Sequence, residues 1–286
     1  MIFNKLHINM TKCCFIHFKP TNYKPMAEDG LFNLKVSDFP IKKTSETKFL
    51  GVIIDEKLSW ESHTTDLKRK LNYAIATLNR IYKNVPEYLL RDLYYTLFES
   101  HLSYCISVWG NAAKCRTQPL WITQKRCIRI LFGDREKFLE KFKTCIRARP
   151  INCQQLGASF YEKEKSKPLF QKNKILSVFN LYTFHTIMEP FKILKLQSPK
   201  PLYSSYVISQ RKQTTIIQKS PSMDFSYRSS VLWNMISTTL KVNDFSAKIA
   251  PTKKLLKNLL FTLQHHENPN DWTVEDFNPR KIRPSG

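Results

Sequence analysis

The hydrophobic period of this chain changes near residue 62, and this change limits its fold more than any other feature. Before it, short apolar runs at 13–18, 31–36 and 49–54 are separated by turn-forming residues, a pattern typical of strands. After it, apolar residues recur at helical spacing, at Leu67, Leu71, Ala74, Ile75, Leu78, Ile81 and Tyr82. The sequence therefore predicts an α+β fold that is mostly α, with a small N-terminal antiparallel sheet followed by a helical bundle.

Two more helices are expected in the first half of the chain. One follows Pro86 and carries an apolar stripe from Leu90 to Leu102, and its short link to the first helix favours an antiparallel pair. The other spans about 118–132, and Gly133 supplies a stop signal for it. The predicted buried face of this third helix consists of Leu120, Gln124, Cys127, Ile128 and Leu131.

The second half of the chain predicts further helices with less regular spacing. A fourth segment covers about 175–188 and is expected to end before Pro190, while Ser229-Ser230 and Thr252 could cap two more helices. From residue 265 the chain is polar and interrupted by prolines, which predicts a flexible tail. The predicted regions are 1–61 with the strands, 62–133 with the helical bundle, 134–172 as a basic connector, 173–264 as a C-terminal helical region, and 265–286 as the tail.

The charge balance favours a polyanionic partner, because 46 Lys and Arg residues stand against 23 Asp and Glu residues, a formal net charge of +23. Nucleic acid is the commonest such partner, although a generally basic surface without a specific ligand is the alternative. Lys125, Arg126 and Arg129 lie off the apolar stripe of the third helix, and a solvated helix face is the alternative for them. The candidate nucleic-acid-binding residues are Lys68, Arg69, Lys125, Arg126, Arg129 and Arg135.

Several other classes of protein leave motifs that this sequence lacks. The seven cysteines form an odd set without a regular framework, and the first residues have no apolar signal segment, so an intracellular location in nucleus or cytoplasm is expected. No apolar run approaches the length of a membrane span, and no membrane partner is expected. There is no Gly-rich phosphate-binding loop and no G-x-S-x-G nucleophile motif, and His101 with Cys105 has no companion ligands for zinc. Neither a cofactor nor a metal site is therefore expected.

Four blocks, in order along the chain, carry a family resemblance. They are NMTKCCFIHF at 9–18, FLGVIID at 49–55, LFESHLSYCISVWG at 97–110 and QKRCIRIL at 124–131. Together they resemble the last two palm motifs and the following region of non-LTR (jockey-type, LINE-like) retrotransposon reverse transcriptases. The C-terminal block SSVLWN at 229–234 is similar to the end of the same proteins. The resemblance implies that 1–61 is a palm remnant and 62–133 a thumb-like region.

The resemblance also implies what chemistry is missing. The family is an RNA-directed DNA polymerase whose Mg²⁺ ions are held by aspartates upstream of the first block and in an Asp-Asp turn. This sequence has no Asp-Asp pair, and its adjacent acidic pairs at 28–29, 55–56 and 275–276 are expected to be solvated surface. We therefore expect no catalytic residues, no metal ligands and no polymerase activity from this chain alone, which would be the back part of a polymerase or a truncated gene product.

Particular residues inherit expected roles from the resemblance. Lys12 matches the lysine near the leaving pyrophosphate and would be a vestige, with an exposed loop lysine as the alternative. Phe49, Leu50 and Gly51 match the primer grip, with a plain core strand as the alternative. The implied partners are RNA, DNA or an RNA/DNA hybrid. Two other functions stay open, a helical module that binds a protein through the region after residue 172, and a pseudogene product without a selected role.

Just after the second block, two residues fall where the strands give way to the first helix. Trp60 and His63 are expected to pack at this junction between the sheet and the helix rather than to contact a base. The resemblance covers nearly the whole chain in the right order. Each block is a weak pattern by itself, and their common order gives the resemblance its weight.

Overall fold

A computed structural model gives the structure of part of the chain. It describes residues 9, 12–19, 34–36, 39–133, 166–200, 204, 206–208, 216–217, 225–237, 245 and 248–264. Most of the predicted basic connector, the whole predicted tail and Arg135 therefore lie outside the described residues. The described part is mostly helical with short strands near the N-terminus, which confirms the predicted α+β class.

The strands form separate two-stranded pairs rather than the one small sheet that was expected. They are β1 Cys14–Phe15, β2 Lys35–Val36, β3 Phe39–Pro40, β4 Lys42–Lys43, β5 Glu46–Phe49, β6 Val52–Asp55, β7 Val207–Ile208 and β8 Ile216–Ile217. β1 pairs with β4 in parallel, whereas β2–β3, β5–β6 and β7–β8 are antiparallel. In the described part of the expected second strand, Leu34 and Val36 are exposed, so these two residues bury no face that could hold a larger sheet together.

The helices of the first half follow the predicted periodicity. They are α1 Glu61–Ile81, α2 Glu87–Leu93, a π-helical segment Tyr94–Glu99, α3 Ser100–Ser103, α4 Ile106–Trp109 and α5 Lys114–Phe132. On the stripe expected here, Leu93 and Leu97 are partly buried and His101 is exposed, whereas Leu90, Tyr94, Phe98 and Leu102, each four residues apart, are buried. On an α-helix, side chains four residues apart are offset from each other by about 40° around the helix axis, because four residues exceed one turn of 3.6. The wider π turn reduces that offset and keeps the buried side chains facing the core.

Helices of the second half begin and end away from the predicted positions. They are α6 Lys167–Asn173, α7 Val178–Leu196, α8 Phe225–Ser237 and α9 Ile249–Gln264. The expectation that the fourth segment ends before Pro190 is wrong, because α7 runs through this proline. Pro190 is buried, and Phe191 just beyond it stacks on Trp233 of α8 with centroids 5.4 Å apart. Such packing offsets the roughly 3 kcal/mol that an interior proline costs.

The predicted caps of the last two helices are also wrong. Ser229 and Ser230 lie inside α8, and both hydroxyls donate to the carbonyl of Ser226, at 3.1 and 2.7 Å. Thr252 lies inside α9 and donates to the carbonyl of Lys248 at 3.0 Å. Inside a helix, a Ser or Thr hydroxyl can donate to a carbonyl of the preceding turn, and here these hydroxyls do so instead of capping the N-terminus of the helix.

One core joins the two predicted helical regions. Its buried residues extend from Val52 in β6 to Leu260 in α9. α7 lies centrally, since it contacts α3, α4, α5, α8 and α9. The fit is close at Gly110, where an added Cβ would stand 2.5 Å from the ring of Tyr182 in α7. The predicted region boundaries stay a prediction. Within the described residues, no helix has the length and apolarity needed to cross a lipid bilayer.

Gln124 of α5 is a fully buried polar residue that ties three segments together. Its amide nitrogen donates to the hydroxyl of Tyr94 and to the carbonyl of Leu176, both at 2.9 Å. Its amide oxygen accepts from the backbone N–H of Val178, at the start of α7, at 2.9 Å. A buried amide with all its partners in place favours one arrangement of the surrounding helices, because any other arrangement would leave these buried partners without a hydrogen bond.

We predict that Gln124→Leu lowers the free energy of unfolding by about 3 kcal/mol, because two backbone groups and one hydroxyl lose their buried partner. Urea unfolding followed by circular dichroism measures this loss. Gln118→Leu is the matched control, since Gln118 is on the same helix and only partly buried, and it should change stability by about 0.5 kcal/mol or less. Equal stability of the two variants would contradict the role of Gln124.

Candidate nucleic-acid interface

The block at 49–55 forms a β-hairpin whose tip is exposed. β5 and β6 pair with Phe49 opposite Val52, which leaves Leu50 and Gly51 as a two-residue turn. Both turn residues have positive φ, 46° and 85°, as the common hairpin turn for a right-twisted pair of strands requires. Phe49 is 63% exposed and Leu50 is 75% exposed. The plain core strand that was the alternative for these residues is therefore wrong, and they form a tip.

A tyrosine from the helical part supports the tip. The hydroxyl of Tyr104, just after α3, donates to the carbonyl oxygen of Leu50 at 2.7 Å. The Tyr104 ring also lies against Gly51, where an added Cβ would stand 3.5 Å from the ring. The indole N–H of the buried Trp109 donates to the carbonyl oxygen of Tyr104 at 2.9 Å and so fixes the backbone that carries this tyrosine.

His63 of α1 supports the other strand of the hairpin. Its Nδ1 accepts from the backbone N–H of Ile53 at 3.4 Å, and its ring lies 5.6 Å from that of Trp109. Burial, together with the charge of Lys70, lowers the pKa of His63 against the opposing effect of Asp66. A lowered pKa keeps the ring neutral, which leaves Nδ1 free to accept. His63 and the buried Trp60 therefore pack at the junction of strands and helix, as expected.

The two opening blocks of the sequence lie side by side. Cys14 of β1 has its sulfur 3.6 Å from the hydroxyl of Thr47 in β5, and the backbone N–H of Lys19 donates to the carbonyl of Glu56 at 2.8 Å. Lys12 lies just before β1, with an exposed side chain and a backbone N–H that donates to Asn9 at 3.1 Å. The structure thus brings the strand that follows Lys12 beside the hairpin.

Asp55 is a structural residue that the sequence did not reveal. Its carboxylate accepts from the backbone N–H groups of Lys57, Ser59 and Trp60 at 2.9–3.1 Å and so shapes the turn that leads into α1. Burial alone would raise the pKa of Asp55, but these hydrogen bonds outweigh it and lower that pKa. The expectation that the 55–56 pair is merely solvated surface is wrong for Asp55, which is engaged with backbone.

The cations of α1 lie on its outer face. Lys68 and Arg69 are both exposed, and Arg69 donates to the carboxylate of Asp66 at 2.6 Å. Lys70 contacts the other oxygen of Asp66 at 2.9 Å. Hydrogen bonds from Arg69 and then from Lys70 hold the pKa of Asp66 at about 2. The carboxylate therefore stays charged near neutral pH and offsets one of these three cations.

The cations of α5 differ in exposure. Arg126 is exposed, whereas Lys125 and Arg129 are partly buried. The ammonium of Lys125 lies 5.3 Å from the centroid of the Trp121 ring, and burial followed by the charge of Arg129 lowers the pKa of Lys125. The structure thus brings Lys125 and Arg129 together on one helix, as it does Lys68 and Arg69. In the described part of the chain, no three His, Cys, Asp or Glu side chains stand as a possible metal site.

Comparison with known proteins gives one partial similarity. The chain is 21% identical over 101 residues to the probable RNA-directed DNA polymerase from transposon X-element of Drosophila melanogaster, and the match covers 34% of this chain. It spans only 11% of the length of that protein. No protein-family model matches the chain, and no solved structure matches it significantly. This similarity is weak and partial, and it supports a relation to transposon reverse transcriptases.

We predict that Tyr104→Phe loosens the hairpin tip, because only the hydroxyl that holds the Leu50 carbonyl is lost. Amide hydrogen exchange in β5 and β6 should become about fivefold faster, since one hydrogen bond contributes about 1 kcal/mol. The control is Tyr88→Phe on α2, where the tyrosine is 76% exposed, and it should leave that exchange unchanged. Unaltered exchange in both variants would show that Tyr104 does not support the tip.

Proposed function

We propose that this chain is a fragment of a non-LTR, jockey-type reverse transcriptase that holds the backbone of an RNA/DNA template-primer without elongating it. The fragment corresponds to the end of the palm followed by the thumb. Its partner is RNA, DNA or their hybrid, in the nucleus or cytoplasm. The partial similarity to a transposon polymerase and the order of the sequence blocks support this assignment.

The single observation that carries the proposal is the supported hairpin tip. The two-residue turn leaves Phe49 and Leu50 exposed, whereas the Tyr104 ring fills the space beside Gly51, so a sugar-phosphate strand can approach the tip from the side of Phe49 and Leu50. Tyr104 and His63 hold the two strands of the hairpin from the helical side. A tip that is fixed in this way can position a strand end at little entropic cost. This is the task of a primer grip, which the block at 49–51 resembles.

The charge of the chain supports the same partner. Lys68, Arg69 and Arg126 are exposed and offer donors to phosphate oxygens without reading bases. Lys125 and Arg129 would add to the surface of α5. A cationic holder of this kind binds by counterion release, so its affinity depends steeply on salt. In this proposal Lys12, just before the strand that lies beside the hairpin, is a vestige of the lysine that the family has near the leaving pyrophosphate.

The lack of elongation follows from the acidic residues. Phosphoryl transfer by polymerases uses two metal ions held by clustered carboxylates. The sequence has no Asp-Asp pair, and the carboxylate of Asp55 is engaged by three backbone N–H groups. Catalysis in this proposal needs carboxylates from elsewhere, either in another chain or in a longer form of this one.

We predict that the chain binds a labelled RNA/DNA hybrid, and that the logarithm of the binding constant falls with the logarithm of the salt concentration with a slope of about −5. This slope is expected when about six phosphates are contacted. Lys68→Gln plus Arg69→Gln, and separately Arg126→Gln plus Arg129→Gln, should each make the slope shallower by about 1 to 2. Fluorescence anisotropy between about 50 and 200 mM KCl measures it.

The matched control is Lys253→Gln plus Lys254→Gln, an equal loss of charge at exposed positions of α9. If only the overall charge mattered, all three double variants would make the salt slope shallower by the same amount. If the assigned residues contact phosphates, only the α1 and α5 variants would do so. If the α9 variant lowers the slope as much as the other two, the assigned surfaces are wrong. Circular dichroism of each variant checks that its helices are intact.

We predict that oligo(dT) annealed to poly(rA) is not extended by this chain in the presence of Mg²⁺ and dTTP. The physical reason is that the sequence has no Asp-Asp pair and that the described residues contain no carboxylate cluster for the metal ions. Denaturing gel electrophoresis of the labelled primer measures extension, and an active reverse transcriptase in a parallel tube shows that the substrate is competent. Extension by the purified chain that survives removal of contaminating polymerase would sink this part of the proposal.

A further inference from the structure

Tyr73 is an aromatic residue on the side of α1 that faces away from the core. The buried face of this helix includes Leu67, Leu71, Ile75 and Leu78, whereas Tyr73 is 66% exposed. An aromatic ring contributes little to folding when most of it stays in water. The position therefore invites an explanation other than core packing, although a single exposed apolar residue alone would not require one.

The surroundings of Tyr73 give the ring a context. An open groove of about 450 Å³ runs along this outer face, and it is lined by Thr65, Lys68, Arg69, Asn72, Tyr73 and Ala76. Their spacing of three and four residues places them on one side of the helix. The groove combines one flat ring, two cations and an amide. It is shallow and open because it lies on a single helix, so a strand can enter from the side.

Arg69 is held in place beside the ring. Its guanidinium carbon lies 6.0 Å from the centroid of the Tyr73 ring, and one of its nitrogens donates to Asp66 at 2.6 Å. Asp66 is in turn contacted by Lys70 at 2.9 Å. A guanidinium that is oriented by a carboxylate keeps further donors for a phosphate, because it carries five N–H groups. A cation and a ring are thus fixed next to each other.

We propose that the outer face of α1 is a subsite for single-stranded nucleic acid, in which one unpaired base stacks on Tyr73 while Lys68 and Arg69 contact the flanking phosphates. Asn72 lies in the same groove and offers hydrogen bonds to a base edge or a sugar. A base inside a duplex is already stacked on both faces, so this subsite selects an unpaired strand or a frayed end. That the partner is a nucleic acid rests on the proposed function, whereas the preference for an unpaired base rests on the exposed ring of Tyr73.

The test compares single-stranded with duplex binding for the full chain. Labelled oligo(dT), the same strand made abasic, and a blunt RNA/DNA hybrid are titrated against the wild type, Tyr73→Phe and Tyr73→Leu. We expect Tyr73→Leu to weaken oligo(dT) binding about tenfold, in the range for one stacked base, and Tyr73→Phe to bind like the wild type because the ring remains. Binding of the abasic strand and of the hybrid should not respond to either substitution.

A matched control is Tyr88→Leu on α2, because Tyr88 is 76% exposed and it should leave oligo(dT) binding unchanged. Photocrosslinking of a strand that carries 5-iodouracil should join the base to the peptide that contains Tyr73. Equal oligo(dT) affinity of Tyr73→Leu and wild type, or an equal loss on the abasic strand, would overturn the subsite. If poly-glutamate displaces oligo(dT) and Tyr73→Leu does not change the affinity for oligo(dT), the outer face of α1 would instead bind an acidic protein.

The same titration separates the two proposals. Steep salt dependence on the hybrid together with no effect of Tyr73→Leu on oligo(dT) would refute the stacking subsite and leave backbone holding intact. Tight oligo(dT) binding that requires the ring, with no hybrid binding, would refute template-primer holding and keep the subsite. Failure of the wild type to bind either strand form would refute both.

Discussion

The hairpin tip depends on one closed circuit of contacts. Tyr104 donates to Leu50 at the tip, Trp109 donates to the carbonyl of Tyr104, and the ring of Trp109 packs on that of His63. The imidazole of His63 then accepts from Ile53, which returns the circuit to the hairpin. A two-stranded hairpin is marginal by itself, so these two attachment points are what turns it into a defined surface. The circuit also joins the two sequence blocks that lie before and after α1.

Buried polar groups deeper in the molecule differ in how far they are satisfied. Gln124 has its two amide donors and its oxygen engaged, and this connects α5 to the π-helical segment and to the start of α7. Glu99, at the end of the π-helical segment, is in a different state. Burial raises its pKa to about 7 against the opposing charges of Lys257 and Arg91, and its Oε2 has no hydrogen-bond partner among the described residues. Burial therefore favours the neutral form of this carboxyl more than water does.

Periodicity predicted the helices of the first half well, because there the local pattern and the final packing agree. Leu90, Tyr94, Phe98 and Leu102 repeat along one stripe, and all of them are buried. Pro190 shows where local rules fail, since packing of α7 against α8 outweighs the preference of proline to end a helix. The cap predictions for Ser229 and Thr252 fail because a hydroxyl inside a helix can also donate a hydrogen bond to a carbonyl of the preceding turn. The two hydroxyls bond within their own helices, whereas the continuation of α7 through Pro190 depends on a partner that is far away in the sequence.

The candidate site was only partly readable for the same reason. Residues 49–51 were visible through their resemblance to a known block. Tyr104 lies 54 positions from the carbonyl that it holds, so no local pattern could assign it to the hairpin. The outward position of Tyr73 is readable from helical spacing, but its pairing with an oriented Arg69 requires coordinates. Rigid contacts thus position the tip, whereas long exposed cations supply charge. In the proposed function, this division means that the surface recognises the shape and backbone of a strand more than its base sequence.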